Sequence, residues 1–192
     1  MTQEITQRLL DCIEHEIVPL TRDGVAKGNK IFGAALLHKD TLETVIAETN
    51  NEIENPLWHG EMHCLKRFYE MPAETRPATE DLIFLSTHEP CSLCLSAITW
   101  AGFDNFTYFF SYENSRDDFA IPHDLKILKE VFGRTDYETP NAFWESHSLM
   151  AMIAKAETPD PLVAQSERIL AAYRALSELY QAGKNENDIP LR

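Results

Sequence analysis

The sequence predicts an α/β fold in three layers, α/β/α, with a mixed sheet of about five strands and further helices toward the C-terminal end. Three observations carry that expectation. Short apolar runs at residues 31–37, 82–85 and 106–110 read as strands buried on both faces. Between them lie segments with apolar residues three and four apart, the helical period. Proline, glycine and Asn/Asp clusters mark the joints. Strands that alternate with helices build a sheet covered on both sides.

Each element follows in order. Ile5, Leu9, Leu10, Ile13 and Ile17 put one apolar face on a helix over 2–18, which Pro19 is expected to stop. The strand at 31–37 lies between Gly28-Asn29-Lys30 and His38-Lys39-Asp40. A second strand at 44–49 follows a short polar connection, which reads as a hairpin. After a polar loop, a helix starts near His59 and runs to about Met71. The strand at 82–85 leads through Thr87-His88-Glu89-Pro90 into a helix over 91–100, with Pro90 suited to a first turn. The aromatic strand at 106–110 follows, then a helix over 124–132 and a short edge strand. Thr139-Pro140 and Asp160-Pro161 each read as a cap before a helix-opening proline. Ile169, Leu170, Tyr173, Leu176 and Tyr180 form one stripe that Gly183 ends.

With 192 residues the chain fits one domain with a helical appendage. Seventeen basic against 31 acidic residues leave a net charge of −14, which repels phosphate backbones and argues against a nucleic-acid partner. No apolar run is long enough to span a membrane, and the polar start lacks a signal-peptide pattern, so a cytoplasmic location is expected. In a reducing compartment four cysteines do not build a disulfide network. Cys12 reads as a small buried apolar residue, and Cys64 as facing the core.

The chemistry concentrates in His59, Glu61 and the pair Cys91/Cys94. His59-Gly60-Glu61 and Glu89-Pro90-Cys91-Ser92-Leu93-Cys94 each open a helix. Cysteines three apart share a helix face, and the first turn favours thiolates. Taken alone, the C-x-x-C pair serves a redox site as readily as a metal site. With His59 it makes three Zn²⁺ ligands and leaves a fourth position open, as a catalytic zinc requires. Glu61, two residues from His59, is cast as the acid/base beside the metal. The order H-x-E…P-C-x-x-C is the signature of zinc deaminases.

On these residues the chain resembles the cytidine deaminase-like superfamily, on the branch of guanine, cytosine and tRNA adenosine deaminases. Phe32-Gly33-Ala34-Ala35 resembles P-F-G-A of the guanine enzymes, Asn55-Pro56-Leu57-Trp58-His59-Gly60-Glu61 resembles N-D-P-T-A-H-A-E, and Leu95-Ser96-Ala97-Ile98-Thr99-Trp100-Ala101 is similar to L-G-A-I-Y-W-A. Gly60 is instead the fungal cytosine deaminase spelling. The resemblance implies a five-stranded sheet, one Zn²⁺ per chain on His59, Cys91 and Cys94, Glu61 as proton shuttle, and a homodimer.

It also implies release of ammonia from a small aminated heterocycle, of the guanine type on the Phe32 strand and the Trp100 helix, with a cytosine-type pyrimidine as the alternative. Residues 1–140 are expected to form the deaminase-like domain, 141–183 a helical extension packed on it, and 184–192 a frayed polar tail. Substrate contacts fall to Gly60; to Asn50, which is otherwise a turn residue; to Phe32, a stacking wall or core; to Trp58, a large ring beside the ligand; and to Asp117 and Asp118, an acidic pair or a solvated loop. His63 and His88 flank the motifs, and Trp144 and His147 lie beyond them. Two other classes remain: a thioredoxin-like oxidoreductase on Cys91 and Cys94, and a structural zinc module, which would need a fourth ligand such as Cys64 or His88.

Overall fold

The computed structural model describes residues 2–191. Its sheet has five strands in the order β2-β1-β3-β4-β5. Strand β1 (Gly33–His38) pairs antiparallel with β2 (Thr44–Thr49) and with β3 (Leu82–His88). Strands β3, β4 (Asn105–Phe110) and β5 (Glu145–Ser148) run parallel. The mixed three-layer α/β/α architecture is the one the sequence predicts.

The period of two along β1 sorts its side chains between two cores. Ala34 and Leu36 enter the cluster with Phe68, Phe84 and Phe106, while Ala35 and Leu37 enter the cluster with Leu9, Leu85, Phe109 and Tyr173. Helices α3 (Gly60–Glu70) and α4 (Ser92–Trp100) cover the first face. Helices α1 (Gln3–Cys12), α2 (Val18–Ala26), α7 (Leu149–Ala154) and α8 (Pro159–Gly183) cover the second. Two further helices, α5 (Tyr112–Asp117) and α6 (His123–Phe132), follow β4.

Four expectations are corrected. The first helix does not stop at Pro19: a π-helical turn over Ile13–Ile17 joins α1 to α2, and this wider turn, in which the Val18 N–H donates to the Ile13 carbonyl, precedes Pro19 in the first positions of α2. Pro90 lies just before Cys91, which is the N-cap of α4, rather than inside the helix. Thr139-Pro140 opens no helix, because the Asn141 carbonyl oxygen Oδ1 accepts from the N–H of Phe143 and of Trp144 and turns the chain toward β5. The segment after Gly183 is not frayed. Ile189 is buried, and Asn187 Nδ2 donates to the Gly28 carbonyl at 2.9 Å, which ties the segment to the loop before β1. No described helix is long and apolar enough to cross a membrane.

Candidate active site

The site forms where two helix starts meet the C-terminal end of β3. His59 is the N-cap of α3, and Cys91 is the N-cap of α4. What brings α3 against the sheet is glycine. A Cβ on Gly60 would lie 2.6 Å from the Gly33 Cα and 2.8 Å from its nitrogen, so helix start and strand start touch backbone to backbone. Asn50, at the end of β2, closes the joint: the Gly60 N–H donates to its Oδ1 at 2.5 Å, and its Nδ2 donates to Glu52 Oε2 at 2.8 Å.

His59 turns Nδ1 toward the two thiols, 3.4 Å from Cys91 Sγ and 3.7 Å from Cys94 Sγ, and the sulfurs are 3.5 Å apart. Zinc bonds of ~2.0–2.3 Å in tetrahedral array place donors about 3.3–3.8 Å from one another, so the three fit one Zn²⁺. They are the group of His, Cys, Asp and Glu among the described residues that could hold a metal ion. Cys64 is packed in the apolar core and His88 sits among aromatic rings, so neither supplies the fourth ligand of a structural zinc.

Behind the imidazole, His59 Nε2 lies 3.9 Å from Glu52 Oε1. Glu52 is itself held by the Lys30 ammonium at 2.6 Å, and both are almost fully buried. At 3.9 Å the Glu52 carboxylate faces the far nitrogen of His59 without a hydrogen bond, and its charge favours the protonated imidazole.

Glu61 is buried, accepts from Cys94 Sγ at 3.3 Å, and lies 2.7 Å from Ser86 Oγ. Burial, then the Cys91 charge, raises its pKa. The bond with Cys94 holds the Cys91 thiol well below its usual range, against burial and with help from His59. Burial pushes Cys94 the other way. For His59, burial opposes the proton, but the bond and charge of Cys91 and the carboxylates Glu61 and Glu52 outweigh it and lift the imidazole to about 9. The negative groups around His59 thus favour a positive charge at that place, and a zinc ion bound there would displace the protons of His59 and Cys94.

Phe32, His59 and Cys91 line the cavity beside this cluster. Asn50 and Trp58 do not. Both polar ends of Asn50 are taken up as described, and Trp58 stacks on His63 at 6.0 Å beneath the Lys66 ammonium. Asp117 and Asp118 are also elsewhere: they are exposed, bound to Arg116 and to Asn114 and Arg174. Glu52 and Asp124 are the acidic residues that line the main cavity, and Asp124, in the first turn of α6, also borders the small one over Glu61. Burial, then the Cys91 charge, raises its pKa to about 8. Sequence reading missed Asp124, Lys30 and Glu52. The one available hint was a lysine set directly before the apolar run at Ile31.

Three donors for one zinc, with a buried carboxyl beside them at a cavity, define a zinc hydrolase site. Residues 13–110, about half of the chain, match the family described as the cytidine and deoxycytidylate deaminase zinc-binding region, and the chain belongs to that family of zinc-dependent hydrolytic deaminases. Its structure is similar to that of a guanine deaminase from Bacillus subtilis, 21% identical, with a TM-score of 0.51 over 82% of this chain and 98% of the other. It also resembles a guanine deaminase from Nitrosomonas europaea (17% identity, TM-score 0.48, 81% of each chain). A tRNA:A34 deaminase is 17% identical with a TM-score of 0.48 over 68% of this chain and 92% of the other. No curated protein sequence matches the chain.

Proposed function

We propose that the protein hydrolyses the amino group of a small aminated heterocycle of the guanine type, with His59, Cys91 and Cys94 as zinc ligands and Glu61 as the catalytic acid/base. One observation carries the reading: the Glu61 carboxyl is buried 3.3 Å from a zinc-ligand sulfur and lines a small pocket that shares Phe32, His59, Cys91 and Asp124 with the main cavity. Zinc held there supplies Lewis acidity and makes a hydroxide nucleophile available near neutral pH.

The chain's residues do the rest. Overall, a C–NH₂ group and water become a carbonyl and ammonia. Glu61 takes one proton from the water at a carboxylate oxygen and delivers it to a ring nitrogen as the oxygen adds to the amino-bearing carbon. It then takes the second proton from the added hydroxyl and delivers it to the departing amine, so that the carbonyl forms as ammonia leaves. Its raised pKa suits traffic in both directions. The Ser86 hydroxyl beside Oε1 holds the carboxyl in place. Phe32 offers a ring face to the heterocycle, and Asp124 offers a carboxyl to its polar edge. Asn50 and Gly60 act as the joint beneath the site. Trp58, Asp117 and Asp118 drop out of the binding role.

The reading includes a cytoplasmic location and a homodimer, the latter supported by the exposed rings of Trp100 (91%) and Phe132 (58%) around one surface groove. Ammonia release from zinc-loaded protein tests the chemistry against guanine, cytosine, adenine, their nucleosides, triazines and pterins, with Glu61→Ala as the control. Release that the variant lacks supports the reading and names the substrate. Release that persists in Glu61→Ala overturns the role of Glu61, and silence across the panel overturns the substrate class.

A further inference from the structure

The cavity of about 300 Å³ beside His59 has an uneven lining. Its inner end carries His59, Cys91 and Asp124. The rest of its wall is mostly apolar, with Leu57 from the loop before α3, Leu93 from α4, Ile121 and Ile127 around the start of α6, and Ile189 with Leu191 from the segment after α8. Lys30, Glu52, Ser92 and His123 are its polar members. The cavity is at the small end of the range for ligand pockets, and an aminated ring seated at Asp124 and Glu61 leaves this aliphatic part facing whatever the ring carries.

The charged groups do not favour a phosphate in that position. The Lys30 ammonium in the wall is already bonded to Glu52 at 2.6 Å, so the pair is neutral. His123 also lines the cavity, but burial, then the charges of Lys30, Lys126 and Lys184, disfavour its proton, and Lys126 and Lys184 do not line the cavity. Asp124 and Glu61 add acidic groups at the inner end. The outer wall is also ordered: the Ile189 N–H donates to Asn187 Oδ1 at 3.0 Å, Asn187 anchors on Gly28, and the Ile189 side chain is buried.

We propose that this aliphatic chamber is a subsite for an apolar substituent on the substrate's ring, with Ile189 and Leu191 as its outer wall. The substrate class is then an aminated heterocycle with an alkyl or aryl group, rather than a nucleoside phosphate. The proposal rests on the deaminase reading above for the placement of the ring.

Calorimetric binding to the zinc-loaded Glu61→Gln protein tests it without turnover, using formoguanamine, its phenyl derivative benzoguanamine, and deoxycytidine monophosphate. The expected result is benzoguanamine bound at least ~10-fold tighter than formoguanamine, the scale of burying one aromatic side group. Leu57→Asp and Leu191→Asp, both at half-exposed positions, should erase that preference while zinc content and melting temperature hold. Equal affinities, no binding of either triazine, or tighter binding of the monophosphate would overturn the proposal. Ammonia release by the wild-type protein is read separately. A strong preference in binding with no release from any compound would leave the subsite standing and remove the deaminase reading.

Discussion

Gly60 and Gly33 meet without a side chain between them, and that contact sets the position of both His59 and Glu61. A Cβ at Gly60 would be 2.6 Å from the Gly33 Cα, a distance that only a shift of the helix start relieves. Gly60→Ala is therefore expected to cost about 1–3 kcal/mol through overpacking and to lower the melting temperature by several degrees. It should also weaken zinc binding, because His59 precedes the moved residue. Calorimetric melting and metal analysis of the variant check both, and an unchanged zinc affinity would separate the joint from the metal site.

Metal content divides the four cysteines into two classes. The protein is expected to hold one zinc per chain, and a strong chelator should lower its melting temperature, since a ligand of the folded state stabilises it by mass action. Cys91→Ser should abolish stoichiometric zinc. Cys12→Ser and Cys64→Ser should keep it, because both thiols are sealed in apolar surroundings where burial raises their pKa first of all. Elemental analysis of the three purified variants decides the matter.

The parts of the site legible in the sequence are those in which chemistry and local structure coincide. His59, Glu61, Cys91 and Cys94 are placed by two helix starts, and helix starts have local signals in spacing and loop composition. The strands were legible because their apolar runs differ from the helical period around them. Asp124, Lys30, Glu52 and Ile189 reach the cavity through long-range packing, for which a single chain has no local pattern. Pro19 misled for a related reason: a proline that stops one helix is also tolerated in the opening turn of the next, and the π-helical turn before it has no sequence mark. The resemblance implied a substrate contact for the acidic pair Asp117-Asp118, but their side chains lead to Arg116 and Arg174 on the surface.

On the proposed reading, Asp124 takes the contact expected of Asp117 and Asp118. It borders both cavities, while the pair lines neither. Asp124→Asn should lower kcat/KM about 3–10-fold, the value of one hydrogen bond from a neutral carboxyl. Asp117→Asn should leave it within about twofold, since its exposed partner is Arg116 alone. Steady-state kinetics on the substrate found by the ammonia panel give the comparison, and equal losses at both positions would return the contact to α5.

His88 gives the stability a pH dependence that one substitution isolates. Its ring lies within 4.6–5.3 Å of the rings of Phe32, Phe110, Phe119 and Tyr173. Nδ1 meets Thr87 Oγ1 at 3.0 Å, and Nε2 is buried without a partner. Burial lowers the pKa to about 3, against ~6.5 in an unfolded chain. Between those values the unfolded chain binds a proton that the folded chain refuses, so this contribution is whole above pH ~6.5 and is lost as pH falls toward 3. The loss approaches about a factor of ten in the folding equilibrium per pH unit. His88→Leu keeps the aromatic packing and removes the titration. Its stability should fall less steeply than that of the wild type on acidification, with the gap widening below pH ~6.5. Denaturant melts of both proteins from pH 7 to pH 4.5 measure the two slopes. Parallel slopes would mean that the folded protein accepts the proton on His88 after all, and that the aromatic cage opens to water to let it.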